Sequence, residues 1–256
     1  MTRQLRFLIL GLMFFPVLLG GRGMAVTSAH GFDLADNTTS YLVGKAREKR
    51  LLLIGLHHRN AIIHNIIASA LPSLVKDAGV KVLFVEIPCT QQKAIDDFSS
   101  GKIEVEGIRI SEIVTSPSYR EVLKQARNLK LPIIAIDAEV PSPVSRDEWM
   151  GKNVNTYLQK HSDVKGIVIV GARHVLKGVE WACPGGPSLA DYLKGHDIFS
   201  VVPWPDADDT TLPVAMDVCP VRFTGVKMPL LKAMNVQPQV SLVTTADGII
   251  LLPKVQ

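Results

Sequence analysis

Residues 51–58 read LLLIGLHH, and this stretch decides the fold. A short apolar run leads directly into a glycine, and a histidine follows the glycine at the third position. Residues 166–174 read GIVIVGARH and repeat the same order of apolar run, glycine and histidine. A continuous apolar run is typical of a strand that is covered on both faces. Both stretches therefore predict a buried strand that ends in a glycine turn and presents a histidine.

Five such apolar runs occur along the chain, with helix-like segments between them. They are Leu51–Ile54, Lys81–Val85, Pro132–Ile136, Gly166–Val170 and Ile198–Val202. A repeated order of strand, helix and strand favours parallel pairing, because the crossover helix returns the chain to the same edge. The sequence predicts an α/β fold, mainly a parallel sheet covered by helices on both faces.

The C-terminal region has a different character. Residues 203–256 are predicted to form an irregular extension that packs on the main domain, residues 30–202. A small hairpin is expected at its end, with strands Val240–Thr244 and Ile249–Leu252 and the turn Asp247-Gly248.

The first 29 residues have the layout of a secretory signal peptide. Arg3 and Arg6 precede an apolar run from Phe7 to Gly21, and small residues follow. This run is shorter than the roughly 20 apolar residues of a membrane span and contains Pro16. We expect an exported protein, periplasmic or secreted, without a stable membrane anchor after leader cleavage.

The net charge argues against a nucleic-acid partner. The leader holds Arg3, Arg6 and Arg22 and no acidic residue, so its removal leaves 25 of the 28 Lys and Arg residues against 24 Asp and Glu residues. The net charge falls from +4 to +1. A nearly neutral chain offers no electrostatic reason to expect nucleic acid. The expected substrate is a small molecule or a peptide. The sequence does not indicate an oligomeric state.

Three cysteines are present: Cys89, Cys183 and Cys219. In an oxidising compartment Cys183 and Cys219 are candidates for a disulfide, since both lie in irregular segments next to proline. Three buried reduced thiols are an equally good interpretation.

Polar side chains follow four of the predicted strands. His58 comes after Gly55, and His174 comes after Gly171, while Glu86 and Asp137 end two further strands. Ligands bind beyond the carboxyl ends of parallel strands, so these groups are expected to meet at one edge. His57 and His58 would diverge in an extended chain, and the repeated spacing favours His58. Each group also has a structural interpretation, as a hydrogen-bonded strand end or a turn cap.

Two chemistries suit these candidates. His58, His174 and Glu86 are a ligand set for a divalent metal such as manganese, cobalt or zinc. They also suit general acid–base work without a metal. Arg146 follows Ser145, which with Glu148 forms a capping-box pattern at a helix start, so its guanidinium is a candidate clamp for an oxyanion or carboxylate.

The motifs around these residues resemble those of the Tiki-like superfamily, which includes the TraB and GumN proteins, the haem-binding ChaN proteins and the erythromycin esterases. The resemblance spans Leu51 to Val202 and rests on residues 55–58, 86, 145–150 and 170–175. It implies an α/β fold with a pocket lined by His58, Glu86, Arg146 and His174. The ChaN and esterase branches usually carry Glu directly after the first glycine, where this chain has Leu56.

The branches imply three hypotheses for function. Tiki proteins resemble metal-dependent peptidases and the esterases use His and Glu, so the first is hydrolysis of a peptide or ester bond, metal-assisted. The second is haem or iron binding without turnover, as in ChaN. The third is a catalytically inactive binding pocket, a hypothesis to which Leu56 lends weight.

Overall fold

The computed structural model describes residues 37–110, 116–139, 142–181, 185–207, 212–229 and 239–253. The predicted leader and Cys183 lie outside these ranges, so the proposed cleavage and the pairing of Cys183 with Cys219 remain predictions. In the described part of the chain, no helix has the length and apolar character needed to cross a membrane.

Strands and helices alternate through most of the chain. The strands are β1 Leu51–Leu56, β2 Val80–Pro88, β3 Ile133–Asp137, β4 Lys165–Gly171, β5 Glu180–Trp181, β6 Gly186–Pro187, β7 Ile198–Ala207, β8 Val214–Asp217, β9 Lys227–Pro229, β10 Gln239–Ser241 and β11 Gly248–Pro253. The helices are α1 Asn37–Glu48, α2 Ala61–Lys76, α3 Gln92–Ser99, α4 Pro117–Asn128, α5 Arg146–Lys160, α6 Leu189–Tyr192, α7 Pro220–Phe223 and α8 Leu242–Thr245. A 3₁₀ turn, Ala172–Val175, follows β4.

The main sheet has seven strands in the order β3-β2-β4-β1-β7-β11-β8. All neighbours are parallel except β11 and β8. The five apolar runs of the sequence form β1, β2, β3, β4 and β7, which confirms the predicted α/β class with a mainly parallel sheet.

Helices cover both faces of this sheet, as β1 illustrates. Leu52 and Ile54 pack into one buried cluster together with apolar residues of α2 and α4. Leu51 and Leu53 point to the opposite face and join a second cluster with residues of α5. A strand buried on both sides must be apolar at every position, which explains its continuous Leu and Ile run.

The C-terminal hairpin is only partly as predicted. A small antiparallel pair does form there, between β9 and β10. The specific pairing of Val240–Thr244 with Ile249–Leu252 is wrong. Residues Leu242–Thr245 form helix α8, and Gly248–Pro253 enters the main sheet between β7 and β8. Asp247 donates its backbone N–H to Ser200 O at 2.9 Å, a long-range contact that directs β11 onto β7.

Candidate functional site

Three neighbouring strands bring the candidate residues together. The sheet order places β4 between β2 and β1, so the carboxyl ends of these strands lie side by side. Glu86 lies within β2, His58 follows β1, and His174 lies in the 3₁₀ turn after β4. These side chains lie at one edge of the sheet, as predicted.

Glu86 is the centre of the arrangement. Its carboxylate is almost fully buried, and both oxygens have partners. Oε1 accepts a hydrogen bond from Arg146 Nη2 at 2.8 Å, and Oε2 accepts one from the backbone N–H of Gly171 at 2.6 Å. The Nε2 atoms of His58 and His174 lie 3.7 and 3.6 Å from Oε2 and Oε1. One carboxylate therefore faces two imidazoles, a guanidinium and a backbone amide.

Arg146 forms two ion pairs within the site. Its Nε and Nη2 bond the two oxygens of Asp137 at 3.0 and 2.5 Å, in addition to the bond to Glu86. Ser145 fixes the start of α5 at Arg146, because its Oγ accepts the N–H of Glu148 at 3.1 Å. The predicted helix start is confirmed. The guanidinium, however, is already paired with two carboxylates.

His174 is held from the side opposite Glu86. Its Nδ1 lies 2.7 Å from Asp147 Oδ1, and that oxygen also accepts the N–H of Leu189 at 2.8 Å. Arg173 Nε donates to Nε2 of the ring at 3.2 Å. The neutral ring thus carries its proton on Nδ1, and both the ring and Asp147 are buried.

His58 is the candidate closest to solvent, with 19 % of its side chain exposed. Gly171 permits this position, since a Cβ there would lie 2.8 Å from His58 Nε2. Gly55 allows a similar close contact at the end of β1, because a Cβ there would lie 2.8 Å from Ala172 Cα. The glycines of both Gly-x-x-His motifs therefore allow the two turns to pack together. The neighbouring His57 is exposed, as expected from its divergence.

The pKa values of the two histidines are shifted in opposite directions. Burial is the main cause that lowers the pKa of His58 below its ordinary value, and the attraction of Glu86 only partly offsets it. Burial also opposes the charged form of His174, but Asp147 and Glu86 together outweigh it and raise its pKa. Near neutral pH, His58 is the uncharged base, while His174 takes up a second proton more readily than an ordinary histidine.

Glu86 remains ionised despite its burial. Desolvation alone would raise its pKa, but His174, His58 and Arg146 hold the pKa well below the usual range. Burial likewise opposes the charge of Arg146, whose pKa is nevertheless raised by Asp137 and Glu86. The ionised side chains of Glu86 and Arg146 lie close to the uncharged imidazole of His58, an arrangement that suits proton abstraction.

The residues fit a divalent metal poorly. Within the described residues, no group of three His, Cys, Asp or Glu side chains is arranged to hold a metal ion. Arg146 supplies a cation to both Glu86 and Asp137, and Nδ1 of His174 faces Asp147. The carboxylate oxygens that would bind a metal are already paired with the guanidinium of Arg146. The predicted metal role of His58, His174 and Glu86 therefore gains no support from this geometry.

Sequence reasoning missed two members of the site. Asp147 has the sequence position of an ordinary first-turn acid of α5, yet it is buried against His174. Arg173 lies inside the second Gly-x-x-His motif, and its guanidinium packs 5.3 Å from the Trp181 ring centre. The sequence feature that could have indicated Asp147 is its position directly after Arg146, at a helix start near the sheet edge.

Comparison with known proteins identifies the fold. No family model matches the chain, and no curated protein does. Solved structures do match. A succinoglycan biosynthesis protein is 8 % identical with a TM-score of 0.67, over 88 % of this chain and 98 % of that one.

Two further matches correspond to branches of the resemblance. A mutant of the erythromycin esterase EreC is 11 % identical with a TM-score of 0.56, over 85 % of this chain and 93 % of that one. ChaN of Campylobacter jejuni, which binds haem cofacially, is 10 % identical with a TM-score of 0.53, over 82 % and 90 %. At these identities the likeness shows the fold alone. The resemblance to ChaN and the erythromycin esterases is thus confirmed at the level of the fold.

Proposed function

We propose that this protein is a hydrolase that activates water with His58 to cleave a carboxylic ester or amide. The observation that carries the proposal is the partly exposed imidazole of His58, with a lowered pKa, 3.7 Å from the carboxylate of Glu86. Arg146 and Gly171 anchor that carboxylate, whose pKa is held below its usual range. The Nδ1 atom of His58 is buried. Nε2 is therefore the nitrogen that takes a proton from water as the water oxygen bonds the carbonyl carbon. It returns that proton to the leaving alcohol or amine as the C–O or C–N bond breaks.

The remaining groups have complementary roles in this scheme. Glu86 stabilises the imidazolium that forms on His58 and is itself held in place by Arg146 and Gly171. Asp147 keeps the ring of His174 in position beside Glu86. Arg146 holds Glu86 and Asp137 in place by ion pairs. In this scheme it does not bind the substrate directly.

The test is a screen of the purified protein against p-nitrophenyl esters and fluorogenic peptides, with and without EDTA. The expected result is turnover that EDTA leaves unchanged and that His58→Gln lowers at least 10²-fold, the typical contribution of a general base. His57→Gln is the matched control, since that side chain is exposed. Equal rates for His58→Gln and wild type, or no turnover of any substrate, would contradict the proposal.

A second candidate is haem binding. The exposed part of His58 and the similarity of the fold to ChaN favour it. Any haem would be held non-covalently, because the sequence has no Cys-x-x-Cys-His motif. Haem titration tests this, since a Soret shift that is lost in His58→Gln would support binding and an unchanged spectrum would oppose it.

Export is also part of the proposal. It rests on the charged and apolar layout of residues 1–29. N-terminal sequencing of protein recovered from the periplasm or medium should find a start near residue 30, whereas an intact Met1 would contradict export.

A further inference from the structure

Arg173 is the second guanidinium of the candidate site, and its surroundings differ from those of Arg146. Arg146 pairs directly with the carboxylates of Glu86 and Asp137. Among the described residues, Arg173 forms no ion pair with an Asp or Glu side chain, and the nearby carboxylates act on it only as more distant charges. In this part of the chain, the charge of Arg173 is therefore not neutralised by a direct partner.

Two contacts hold Arg173 at the site. Its Nε donates to Nε2 of His174 at 3.2 Å. The guanidinium carbon lies 5.3 Å from the ring centre of Trp181, which is buried. A guanidinium over an indole is attracted to the ring. These contacts use Nε and one face of the group, so the N–H groups of Nη1 and Nη2 are left for another partner.

A line of contacts joins Arg173 to the proposed base. Nε2 of His174, which Arg173 contacts, lies 3.6 Å from Oε1 of Glu86. The other oxygen of Glu86 lies 3.7 Å from Nε2 of His58. Both His58 and Arg173 are partly exposed. A small molecule whose carbonyl group reaches His58 can therefore place a second group at Arg173.

We propose that Arg173 binds a carboxylate of the substrate, so that the ester or amide cleaved at His58 carries one free carboxylate. The planar fork of a guanidinium matches a carboxylate through two parallel hydrogen bonds. The inference rests on the proposed hydrolysis and adds the class of substrate to it.

The charges around Arg173 favour a group with a single negative charge. Burial lowers the pKa of Arg173, Asp147 raises it, and Arg146 lowers it. A partly buried cation without a paired anion is costly, so an anionic group of the substrate supplies the missing partner. Glu86 and Asp137 add further negative charge to the same surroundings. They repel a dianion such as phosphate more strongly than a carboxylate, and one carboxylate is the expected group.

The first test measures binding without turnover, by NMR titration of the purified protein with two probes. Glutaramate carries one carboxylate and one amide, whereas glutaramide is uncharged. Wild type should bind glutaramate about 10- to 100-fold more tightly, the range expected for hydrogen bonds between charged groups. Arg173→Gln should bind both probes equally. Arg127→Gln is the matched control, because Arg127 also stacks on a ring, that of Phe98 at 4.5 Å, but lies in the last turn of α4.

The second test compares two esters, mono-p-nitrophenyl glutarate and its uncharged methyl ester. Arg173→Gln should raise KM for the charged ester and leave KM for the uncharged ester unchanged, since the carboxylate contact is made equally in the ground and transition states. A role confined to holding His174 would instead lower kcat for both esters alike. The ratio of the two KM values therefore separates substrate binding from a structural role.

Several outcomes would overturn the inference. They are equal affinity of wild type for glutaramate and glutaramide, unchanged glutaramate binding in Arg173→Gln, and an equal loss in Arg127→Gln. Tighter binding of inorganic phosphate than of glutaramate would overturn the choice of a carboxylate. A protein that binds glutaramate through Arg173 but cleaves no ester would support the carboxylate site and contradict only the proposed hydrolysis.

Discussion

At the scale of single residues, the site depends on how one buried carboxylate is neutralised. Glu86 is almost fully buried, and its ionisation relies on His174, His58, Arg146 and the amide of Gly171. A buried charge whose partners are removed is costly, because the desolvation that was offset by pairing is then uncompensated. The residues of the candidate site are for this reason also residues of the stable core.

Glu86→Gln should therefore lower both activity and stability. The substitution keeps the volume but leaves His174 and Arg146 with less negative charge, so we expect a loss of about 3–5 kcal/mol in the free energy of unfolding. Urea denaturation measures it. Glu106→Gln is the matched control, because Glu106 pairs with Arg120 at 3.2 Å on the surface, where the loss of an ion pair changes stability little. Similar losses for the two variants would contradict this account of Glu86.

His64 should make stability dependent on pH. Burial lowers its pKa from 6.5 to about 4, so the folded state binds this proton less readily than the unfolded state. The contribution is present above pH 6.5 and is lost as the pH falls towards 4. With 1.36 kcal/mol per pKa unit, it amounts to about 3 kcal/mol at most. Denaturation at pH 7 and pH 4.5 should show a larger decrease for wild type than for His64→Phe, and equal decreases would refute the assignment.

The sequence indicated His58, Glu86, Asp137, Arg146 and His174 because each follows or ends a recognisable element. Asp147 and Arg173 were not distinguishable in the same way. A carboxylate in the first turn of a helix usually interacts with the helix end. The relation of both residues to the site arises only when α5 and the turn after β4 meet.

At the scale of elements, the two turns after β1 and β4 work as a pair. The chain after β4 crosses Gly55, and the chain after β1 places His58 against Gly171. A side chain at either glycine would separate the turns or displace a histidine. The Gly-x-x-His spacing that occurs twice in the sequence thus reflects the close approach of the ends of β1 and β4.

Gly171→Ala should damage catalysis more than folding. The added Cβ would lie 2.8 Å from His58 Nε2 and 3.5 Å from Glu86 Oε2, so the imidazole must move. A displacement of about 1 Å can cost about 10²-fold in rate. Steady-state kinetics on any ester found by the screen measures it.

Gly44→Ala provides the comparison for Gly171→Ala. Gly44 lies within α1, and nothing lies within 4 Å of the position that an added methyl group would take. This variant should keep its activity and gain about 0.5–1 kcal/mol of stability, because alanine loses less backbone freedom than glycine in a helix. Full activity of Gly171→Ala would show that His58 does not need its observed position.

Continuous apolar runs made the central strands predictable, whereas the C-terminal pairing could not be read locally. Asp247-Gly248 between two apolar runs is a typical hairpin signal. The side chain of Asp247 instead accepts the N–H of Ser200 at 2.8 Å and pairs with Lys177. Those partners are distant in sequence, so no local pattern contains them.

At the scale of the whole molecule, the region after residue 203 contributes to the same sheet as the site. β11 pairs with β7 on one side and β8 on the other, and Ile249, Ile250 and Leu252 are fully buried. β7 in turn pairs with β1, which leads to His58. The stability of the sheet edge that holds the candidate site is therefore coupled to strands formed far along the chain.

Deletion of residues 248–256 should prevent stable folding. It would remove a buried strand from inside the sheet and expose the backbone edge of β7. Circular dichroism during heating should show no cooperative transition, in contrast to a control chain that ends at residue 253. A shortened chain with the wild-type melting profile would show that β11 is dispensable.

The position of β11 also sets an order of events during synthesis. β11 follows the other described strands of the sheet in sequence, yet it lies between two of them in space. While the ribosome still holds residues 248–253, β7 has an open edge and β8 has no partner in the sheet. The nascent chain must wait for this segment before its sheet can close, and until then its unpaired edge is accessible to chaperones or to other strands.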